Sequence, residues 1–280
     1  GLSRPAQAGL EPQTSAPSKG ASPVIGETPA TAIADRACSA AIGLFGLDAL
    51  LTTIMIASYA DPAGAIGPFD DEWLVHEDAA LLVLDKPAGL LAVPGRGADK
   101  ADCLSARAQR RWPDALVVHR LDQATSGLML LARGAAVQRA LSQAFAERRV
   151  HKRYEALVHG QLPDVEAADG WGLIELPLRL DWPRRPRSIV DAEHGKPSRT
   201  RWRVLRRDAA RDTTRLALEP VTGRSHQLRV HLQAIGHPIV GDTLYGPPDG
   251  AERLMLHARA LRLAHPLGGP ELVLQRPPPF

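Results

Sequence analysis

Short apolar runs separated by turn residues fill most of this chain, and two segments with helical spacing interrupt them. The runs Ala80–Leu84, Gly127–Ala132 and Tyr154–Val158 predict strands, whereas Leu104–Trp112 and Ala135–Arg148 predict helices. Strands and helices do not alternate regularly, and no glycine-rich phosphate loop follows a strand, so a doubly wound nucleotide-binding fold is disfavoured. We expect an α+β fold in which helices pack on a mixed, largely antiparallel sheet.

Residues 1–69 differ in composition from the rest. They begin with a stretch rich in Ala, Pro, Ser, Gly and Thr, which buries too little apolar surface to offset its ordering entropy. The apolar run Ala40–Ala57 is nearly long enough to span a bilayer, but Asp48 within it costs about 2.5 kcal/mol or more in a membrane. We therefore expect residues 1–69 to be a disordered extension without a membrane anchor, and residues 70–280 to form one folded domain. If translation begins at Met55, most of the extension lies upstream of the true start.

Basic residues are concentrated after the extension. Residues 1–70 hold three basic and six acidic groups, which leaves 31 of the 34 basic and 25 of the 31 acidic groups in residues 71–280. A cationic domain favours a polyanionic partner, although many basic enzymes never bind nucleic acid. Cys38 and Cys103 are isolated, so neither a disulfide framework nor a cysteine zinc site is predicted, which fits a reducing cytosol.

A polar cluster interrupts two apolar segments in Val118–Leu131, VHRLDQATSGLMLL. Polar groups at the end of a strand often form a functional site on a rigid base. The alternative is a structural turn in which the Asp122 carboxylate accepts backbone N–H groups. Spacing alone leaves both interpretations open for the members of the cluster, which are His119, Arg120, Asp122, Thr125 and Ser126.

A second cluster of donors occurs in Glu219–His231, EPVTGRSHQLRVH, where Gly223 permits a tight turn. We predict a strand after the turn, because polar and apolar residues alternate there. Its two faces carry Arg224, His226 and Leu228 on one side and Gln227, Arg229 and His231 on the other. Arginines that satisfy a sheet edge are an equal alternative to a functional site. No H-x-x-x-H spacing occurs, so metal binding is disfavoured.

A third, basic segment spans Arg179–Arg207 and contains the loop sequence DWPRRPR. Alternation after it predicts a strand with one basic and one apolar face. Arginines at this spacing suit contacts to a phosphate backbone, and a solvated strand face is the alternative. The candidate phosphate contacts are Arg184, Arg185, Arg187, Arg199 and Arg201.

Taken together, these segments resemble a known family. HRLDQATSGLMLL resembles the signature HRLD-x-x-T-S/T-G of the RluA family of pseudouridine synthases. The resemblance extends from about Trp73 to the C-terminus, and residues 1–70 do not look like the S4-like domain of other members. It implies a pseudouridine synthase fold with helices around a central catalytic cleft. Other landmarks in the family's order are Lys86–Gly89, Tyr154–Val158, Thr222–Arg229 and Gly241–Gly246.

The resemblance implies an isomerase that needs neither a cofactor nor a metal. Such an enzyme breaks the bond from ribose to nitrogen 1 of uracil, rotates the base and rejoins it through carbon 5. Asp122 corresponds to the essential nucleophile or sugar-activating carboxylate, and Arg224 to its cationic partner. Tyr154 corresponds to the tyrosine that packs against the base and moves a proton late in the reaction.

The resemblance also implies base flipping, because a stacked uridine cannot reach Asp122. Arg120 corresponds to the arginine that enters the vacated space, with support from His119, and Thr125 belongs to the same substrate-binding set. Leu228 would lie under the uracil ring, and the basic loop and strand would hold phosphates. The resemblance is nearest to the branch that modifies both 23S rRNA and tRNA, so we expect a cytoplasmic monomer with these RNA partners and no obligate protein partner.

Two other classes remain to be tested. A glycoside hydrolase would need a second carboxylate about 5–10 Å from Asp122, and none lies within the cluster around Arg224. A non-catalytic RNA-binding module would bind RNA equally well without Asp122. Within the family, rRNA alone, tRNA alone or both remain open as targets.

Overall fold

The computed structural model describes residues 66–280. The predicted apolar run and most of the predicted N-terminal extension lie outside the described residues. Within them, three α-helices are formed: α1 (Leu104–Arg111), α2 (Ala135–Ala146) and α3 (Gln227–Ala234). The strands of the same region are β1 (Leu74–Glu77), β2 (Leu81–Lys86), β3 (Ala115–Val117), β4 (Ser126–Arg133), β5 (His151–His159), β6 (Gly172–Glu175), β7 (Leu178–Leu180), β8 (Ser188–Val190), β9 (Arg199–Asp208), β10 (Thr213–Pro220), β11 (Leu256–Ala264) and β12 (Glu271–Gln275).

One large sheet of ten strands organises this domain. Its order is β1-β2-β4-β11-β5-β10-β9-β6, with β3 added to β4 and β12 added to β11. The pairings are antiparallel except for that between β4 and β11. Strands β7 and β8 form a separate hairpin. The predicted α+β class with a mixed, largely antiparallel sheet is confirmed.

The parallel contact between β4 and β11 depends on a glycine. It consists of the two pairs Ser126–His257 and Gly127–Ala258. Gly127 has φ +109°, and a Cβ built on it would lie 2.4 Å from the carbonyl oxygen of Ala258. Only glycine allows this approach and this backbone conformation. The contact therefore fixes the start of β4, which directly follows the polar cluster of the sequence.

The predicted helix at Ala135–Arg148 is confirmed as α2. Val137, Leu141 and Ala144 are buried on one side of the helix. They pack in a cluster with Leu128 and Leu130 of β4. This packing removes the apolar stripe of the helix from water and anchors it to the strand that follows the polar cluster.

The predicted strand through Arg224–His231 is wrong, because helix α3 occupies most of it. Every residue of the helix from Gln227 to Leu232 is buried, whether polar or apolar. A helix enclosed on several sides shows no amphipathic stripe, so its sequence resembles that of an alternating strand. Gln227 and His231, one helical turn apart, both hydrogen bond to the Thr200 hydroxyl on β9.

The basic strand predicted after the DWPRRPR loop is confirmed as β9, and the loop itself is the tip of the β7–β8 hairpin. Buried Thr200 lies between exposed Arg199 and half-buried Arg201, as the alternation predicted. Across residues 66–280, no helix is both long and apolar enough to cross a membrane.

Candidate active site

Asp122 lies in a cleft of about 980 Å³ that is lined by the polar cluster, β5 and the start of α3. It belongs to a turn that is closed by a hydrogen bond from the Thr125 N–H to the Asp122 carbonyl. The side chain of Asp122 is 26% exposed, so the carboxylate faces the cleft rather than the core. The polar cluster therefore forms a turn that is closed by backbone atoms, and the Asp122 carboxylate faces the cleft.

A buried lysine holds the residue next to Asp122. The Lys86 ammonium is fully buried and donates to the carbonyl oxygens of Pro87, Leu90 and Gln123, at 2.8, 2.8 and 2.9 Å. Burial lowers the pKa of Lys86 to about 7, and the charge of Asp122 opposes that change. The landmark Lys86–Gly89 is thus a support for the turn that carries Asp122.

The structure places Arg229 beside Asp122, rather than Arg224 as the resemblance implied. Arg229 Nη1 lies 3.9 Å from Asp122 Oδ2, and its side chain is only 4% exposed. Two hydrogen bonds of 2.6 and 2.7 Å join the same guanidinium to the fully buried Asp242. Arg224 is exposed, and within residues 66–280 its side chain forms neither a hydrogen bond nor an ion pair. The cationic partner of Asp122 in this structure is therefore Arg229.

Arg229 and Asp242 are the pair that sequence reasoning missed. Arg229 was missed because the predicted strand placed it on the opposite face from Arg224 and His226, whereas the backbone of α3 is helical. Asp242 lies in the landmark Gly241–Gly246, and its role as a partner could only come from tertiary contact. Its Oδ1 also accepts from the N–H groups of Leu244 and Tyr245, so both of its oxygens are occupied. A free acid for glycoside hydrolysis is not provided by Asp242.

Tyr154 and Leu228 both line the cleft around Asp122, as the resemblance implied. Burial, together with the charge of Asp122, raises the pKa of the Tyr154 phenol above its usual range. The phenol is therefore protonated at neutral pH. Leu228 is 7% exposed and adds an apolar surface to the same wall. These two side chains suit a flat, uncharged base next to the carboxylate.

His119 and Arg120 are neighbours with different environments. The His119 ring stacks on Phe145 with centroids 4.5 Å apart, and its Nε2 accepts a hydrogen bond from the Leu130 N–H. Burial and nearby Lys152 lower the pKa of His119 to about 3, so the ring is neutral. Arg120 is exposed at the cleft and, among the residues the structure describes, has no ion-pair partner. Its guanidinium is therefore available to a ligand in the cleft.

The arginines predicted to hold phosphates already have protein partners. Arg199 pairs with Glu175, and Arg201 pairs with both Asp169 and Glu219. Exposed pairs of this kind contribute little stability, so a phosphate can replace the carboxylate at small cost. On the hairpin, the guanidinium of Arg184 bonds Asp181, that of Arg185 covers Trp182, and that of Arg187 covers Tyr245.

Within the described residues, no group of three or more histidine, cysteine, aspartate or glutamate side chains could hold a metal ion. The buried histidine of α3, His231, bonds Thr200 and the Leu176 carbonyl instead. Its role is thus to fix the helix to the sheet.

Comparison with known proteins identifies the family. Residues 80–234 match the family described as RNA pseudouridylate synthase. The chain belongs to this family. The family and the enzyme class expected from the sequence, a pseudouridine synthase and thus an isomerase, are therefore confirmed.

Relatives and solved structures agree with this assignment. The dual-specificity RNA pseudouridine synthase RluA of Escherichia coli K12 is 44% identical over 218 residues, covering 76% of this chain and 97% of the relative. The protein of the same name from Vibrio parahaemolyticus is 48% identical over 207 residues, covering 71% and 81%. The structure of human RNA pseudouridylate synthase domain containing 1 matches with a TM-score of 0.61 and 31% identity, over 76% of this chain and 87% of that one.

Proposed function

We propose that this pseudouridine synthase isomerises specific uridines in both 23S rRNA and tRNA, with Asp122 as its catalytic carboxylate. The observation that carries the proposal is the carboxylate of Asp122 in an open cleft beside the buried guanidinium of Arg229. The choice of both RNAs is supported by the relatives from E. coli and Vibrio, whose names describe dual specificity. Both RNAs are cytoplasmic, and the proposal places the enzyme there as a monomer.

The cleft provides the groups that the isomerisation needs. Asp122 acts on the ribose, as the nucleophile or sugar-activating carboxylate, while the bond to nitrogen 1 of uracil breaks. Arg229 supplies the counter-charge of the Asp122 carboxylate, because its Nη1 lies 3.9 Å from Asp122 Oδ2. Leu228 supports the detached base. After carbon 5 has been joined to the ribose, carbon 5 loses its proton and nitrogen 1 gains one, and the phenol of Tyr154 relays the proton between them.

RNA binding in this proposal rests on the residues around the cleft. A uridine in a folded RNA must leave its stack to reach Asp122, and exposed Arg120 fills the space it leaves. The neutral His119 ring, stacked on Phe145, supports the backbone beside Arg120. Thr125 closes the turn of Asp122. Phosphates bind the hairpin and β9 through Arg184, Arg185, Arg187, Arg199 and Arg201. Exposed Arg224 lines the cleft and adds a cationic group there.

The test is incubation of the purified chain with transcribed 23S rRNA fragments and tRNAs. Pseudouridine is mapped by carbodiimide-dependent stops in primer extension, with Asp122→Asn as the matched control. We expect stops in both RNAs with the native chain and none with Asp122→Asn. The variant should bind RNA within about tenfold of the native affinity, because binding rests on phosphate contacts.

The outcomes separate the alternatives. Stops in only one class of RNA would restrict the target and leave the chemistry in place. Isomerisation by Asp122→Asn would refute the role of Asp122. Tight RNA binding by both proteins without any stop would favour a non-catalytic RNA-binding module.

A further inference from the structure

His226 occupies an unusual position between the catalytic cleft and the RNA-binding hairpin. It is the N-cap residue of α3, with φ +55° and ψ 20°. This is the left-handed region, which residues other than glycine rarely adopt. Residues held in this region persist only where their surroundings fix them. The imidazole lines the cleft, and its two nitrogens face different partners.

One imidazole nitrogen belongs to a chain of hydrogen bonds that begins on the hairpin. The Ser188 N–H of β8 donates to the Tyr245 hydroxyl at 2.7 Å. The same hydroxyl lies 2.7 Å from His226 Nδ1. Among the described residues, no other hydrogen-bond partner of this hydroxyl occurs. Because this hydroxyl accepts from Ser188 and has no other acceptor among the described residues, it satisfies its own proton by donating it to His226 Nδ1, which is then the accepting nitrogen.

The other nitrogen faces the catalytic carboxylate. A neutral imidazole that accepts at Nδ1 carries its proton at Nε2. His226 Nε2 lies 3.9 Å from Asp122 Oδ1, which is longer than a hydrogen bond. Catalytic contacts are commonly long in the absence of substrate and shorten when it binds. The hydroxyl of Tyr245 thus selects the tautomer that points an N–H donor at Asp122.

We infer that His226 and Tyr245 are positioning residues that couple the β7–β8 hairpin to Asp122. The hairpin carries the arginines proposed to hold phosphates, and its backbone at Ser188 is the first member of the chain. RNA bound to the hairpin therefore acts through Ser188 and Tyr245 on the N–H donor of His226. This donor orients the Asp122 carboxylate toward the ribose. This inference rests on the proposed catalytic role of Asp122.

The charges around the imidazole are consistent with a neutral donor. Burial lowers the pKa of His226, and the cationic side chains of Arg229 and Arg120 act in the same direction. The carboxylates of Asp122 and Asp242 oppose this change. A neutral ring, unlike a charged one, has a tautomer that the Tyr245 hydroxyl can select.

The first test needs no RNA and no activity. Long-range proton–nitrogen NMR of the ¹⁵N-labelled chain near neutral pH distinguishes protonated from unprotonated imidazole nitrogens. We expect His226 to be protonated at Nε2 and unprotonated at Nδ1, and we expect Tyr245→Phe to abolish that preference. A native His226 protonated at Nδ1 would overturn the inference, whether or not the chain modifies RNA.

The second test measures turnover and RNA binding separately. Tyr245→Phe keeps the ring, which covers the guanidinium of Arg229 at 5.1 Å, but removes the hydroxyl. We expect kcat to fall by about tenfold, because the His226 Nε2–H donor is no longer held toward the charged Asp122 carboxylate and a hydrogen bond to a charged group contributes about this much. The Kd for RNA should stay within about twofold. The exposed His194 provides the control His194→Gln, which should leave both unchanged. A kcat for Tyr245→Phe within twofold of native would overturn the coupling, whereas an inactive native chain would instead refute the proposed function.

A pair of substitutions at His226 excludes a purely structural role. The amide nitrogen of Gln can replace Nε2 and face Asp122, whereas the shorter Asn can replace only Nδ1. Asn suits the left-handed backbone better than Gln does. We expect His226→Gln to retain at least fivefold more kcat than His226→Asn, although His226→Asn should have the higher Tm. Equal or greater turnover by His226→Asn would overturn the inference.

Discussion

At the scale of single residues, one guanidinium serves two carboxylates of different kinds. Asp242 is fully buried and binds Arg229 through two short hydrogen bonds. Asp122 faces the cleft, and its Oδ2 lies 3.9 Å from Arg229 Nη1. A buried carboxylate that loses its partner strongly destabilises the fold, so the pair of Asp242 and Arg229 stays together. Asp242 thereby holds the guanidinium of Arg229 beside Asp122. The cationic partner in the cleft is thereby fixed before any substrate binds, which is the arrangement that electrostatic catalysis favours.

The two arginines near Asp122 should therefore respond differently to substitution. We expect Arg229→Ala to lower the free energy of unfolding by about 3–5 kcal/mol, because it leaves Asp242 uncompensated. Arg229→Lys keeps the charge but loses the planar fork, so it should fold and still lose about a hundredfold in kcat. Arg224→Ala should leave Tm unchanged and kcat within about threefold. Thermal unfolding and the primer-extension assay measure these effects.

An equal loss of turnover in Arg224→Ala and Arg229→Lys, with both proteins folded, would contradict this assignment. It would favour the pairing of Arg224 with Asp122 that the family resemblance implied.

At the scale of elements, the domain depends on where β4 begins. Asp122 lies in the turn before this strand, and the strand is fixed by the close approach of Gly127 to Ala258 of β11. Helix α2 covers the apolar residues of the same strand. The turn that carries Asp122 therefore adjoins a strand that is packed from several directions, which keeps a loop residue in a constant position.

We expect Gly127→Ala to lower the free energy of unfolding by at least about 2 kcal/mol. The added Cβ would meet the backbone of Ala258 at 2.4 Å, and φ +109° is unfavourable for alanine. Gly250 is the matched control, because it has φ +71° and open space around a built Cβ. Denaturant unfolding should show a much smaller loss for Gly250→Ala, and similar losses in the two variants would argue against the close approach as the cause.

At the scale of the whole domain, the excess of basic residues is distributed around the cleft and hairpin and is partly masked by carboxylates. Arg199 and Arg201 of β9 pair with Glu175, Asp169 and Glu219, whereas the hairpin loop presents Arg185 against an exposed Trp182. RNA must displace the carboxylates paired with the β9 arginines, whereas within residues 66–280 only Arg184 of the three hairpin-loop arginines pairs with a carboxylate, that of Asp181. We therefore expect the hairpin to contribute more to RNA affinity than β9 does.

The salt dependence of RNA binding tests this expectation. Replacing both Arg184 and Arg185 by Gln should reduce the slope of log K against log salt by about 1.5, as two phosphate contacts are lost. The exposed Arg206 and Arg211, near the β9–β10 turn, provide the equally charged control. Filter binding at several salt concentrations gives both slopes, and equal slopes for the two double variants would show that the hairpin does not hold phosphates.

The sequence alone predicted the fold class, the positions of β2, β4, β5 and β9, those of α1 and α2, and the family motif that contains Asp122. These features depend on local periodicity and on the order of motifs, both of which are written along the chain. The helix α3 could not be recognised, since burial on all sides removed its periodicity. Tertiary structure decided that Arg229 faces Asp122, because a helix brings residues three apart, such as His226 and Arg229, onto one face, whereas a strand separates them. It also decided the pairing of Arg199 and Arg201 on β9, since their carboxylate partners lie far away in sequence and meet them only in the folded domain.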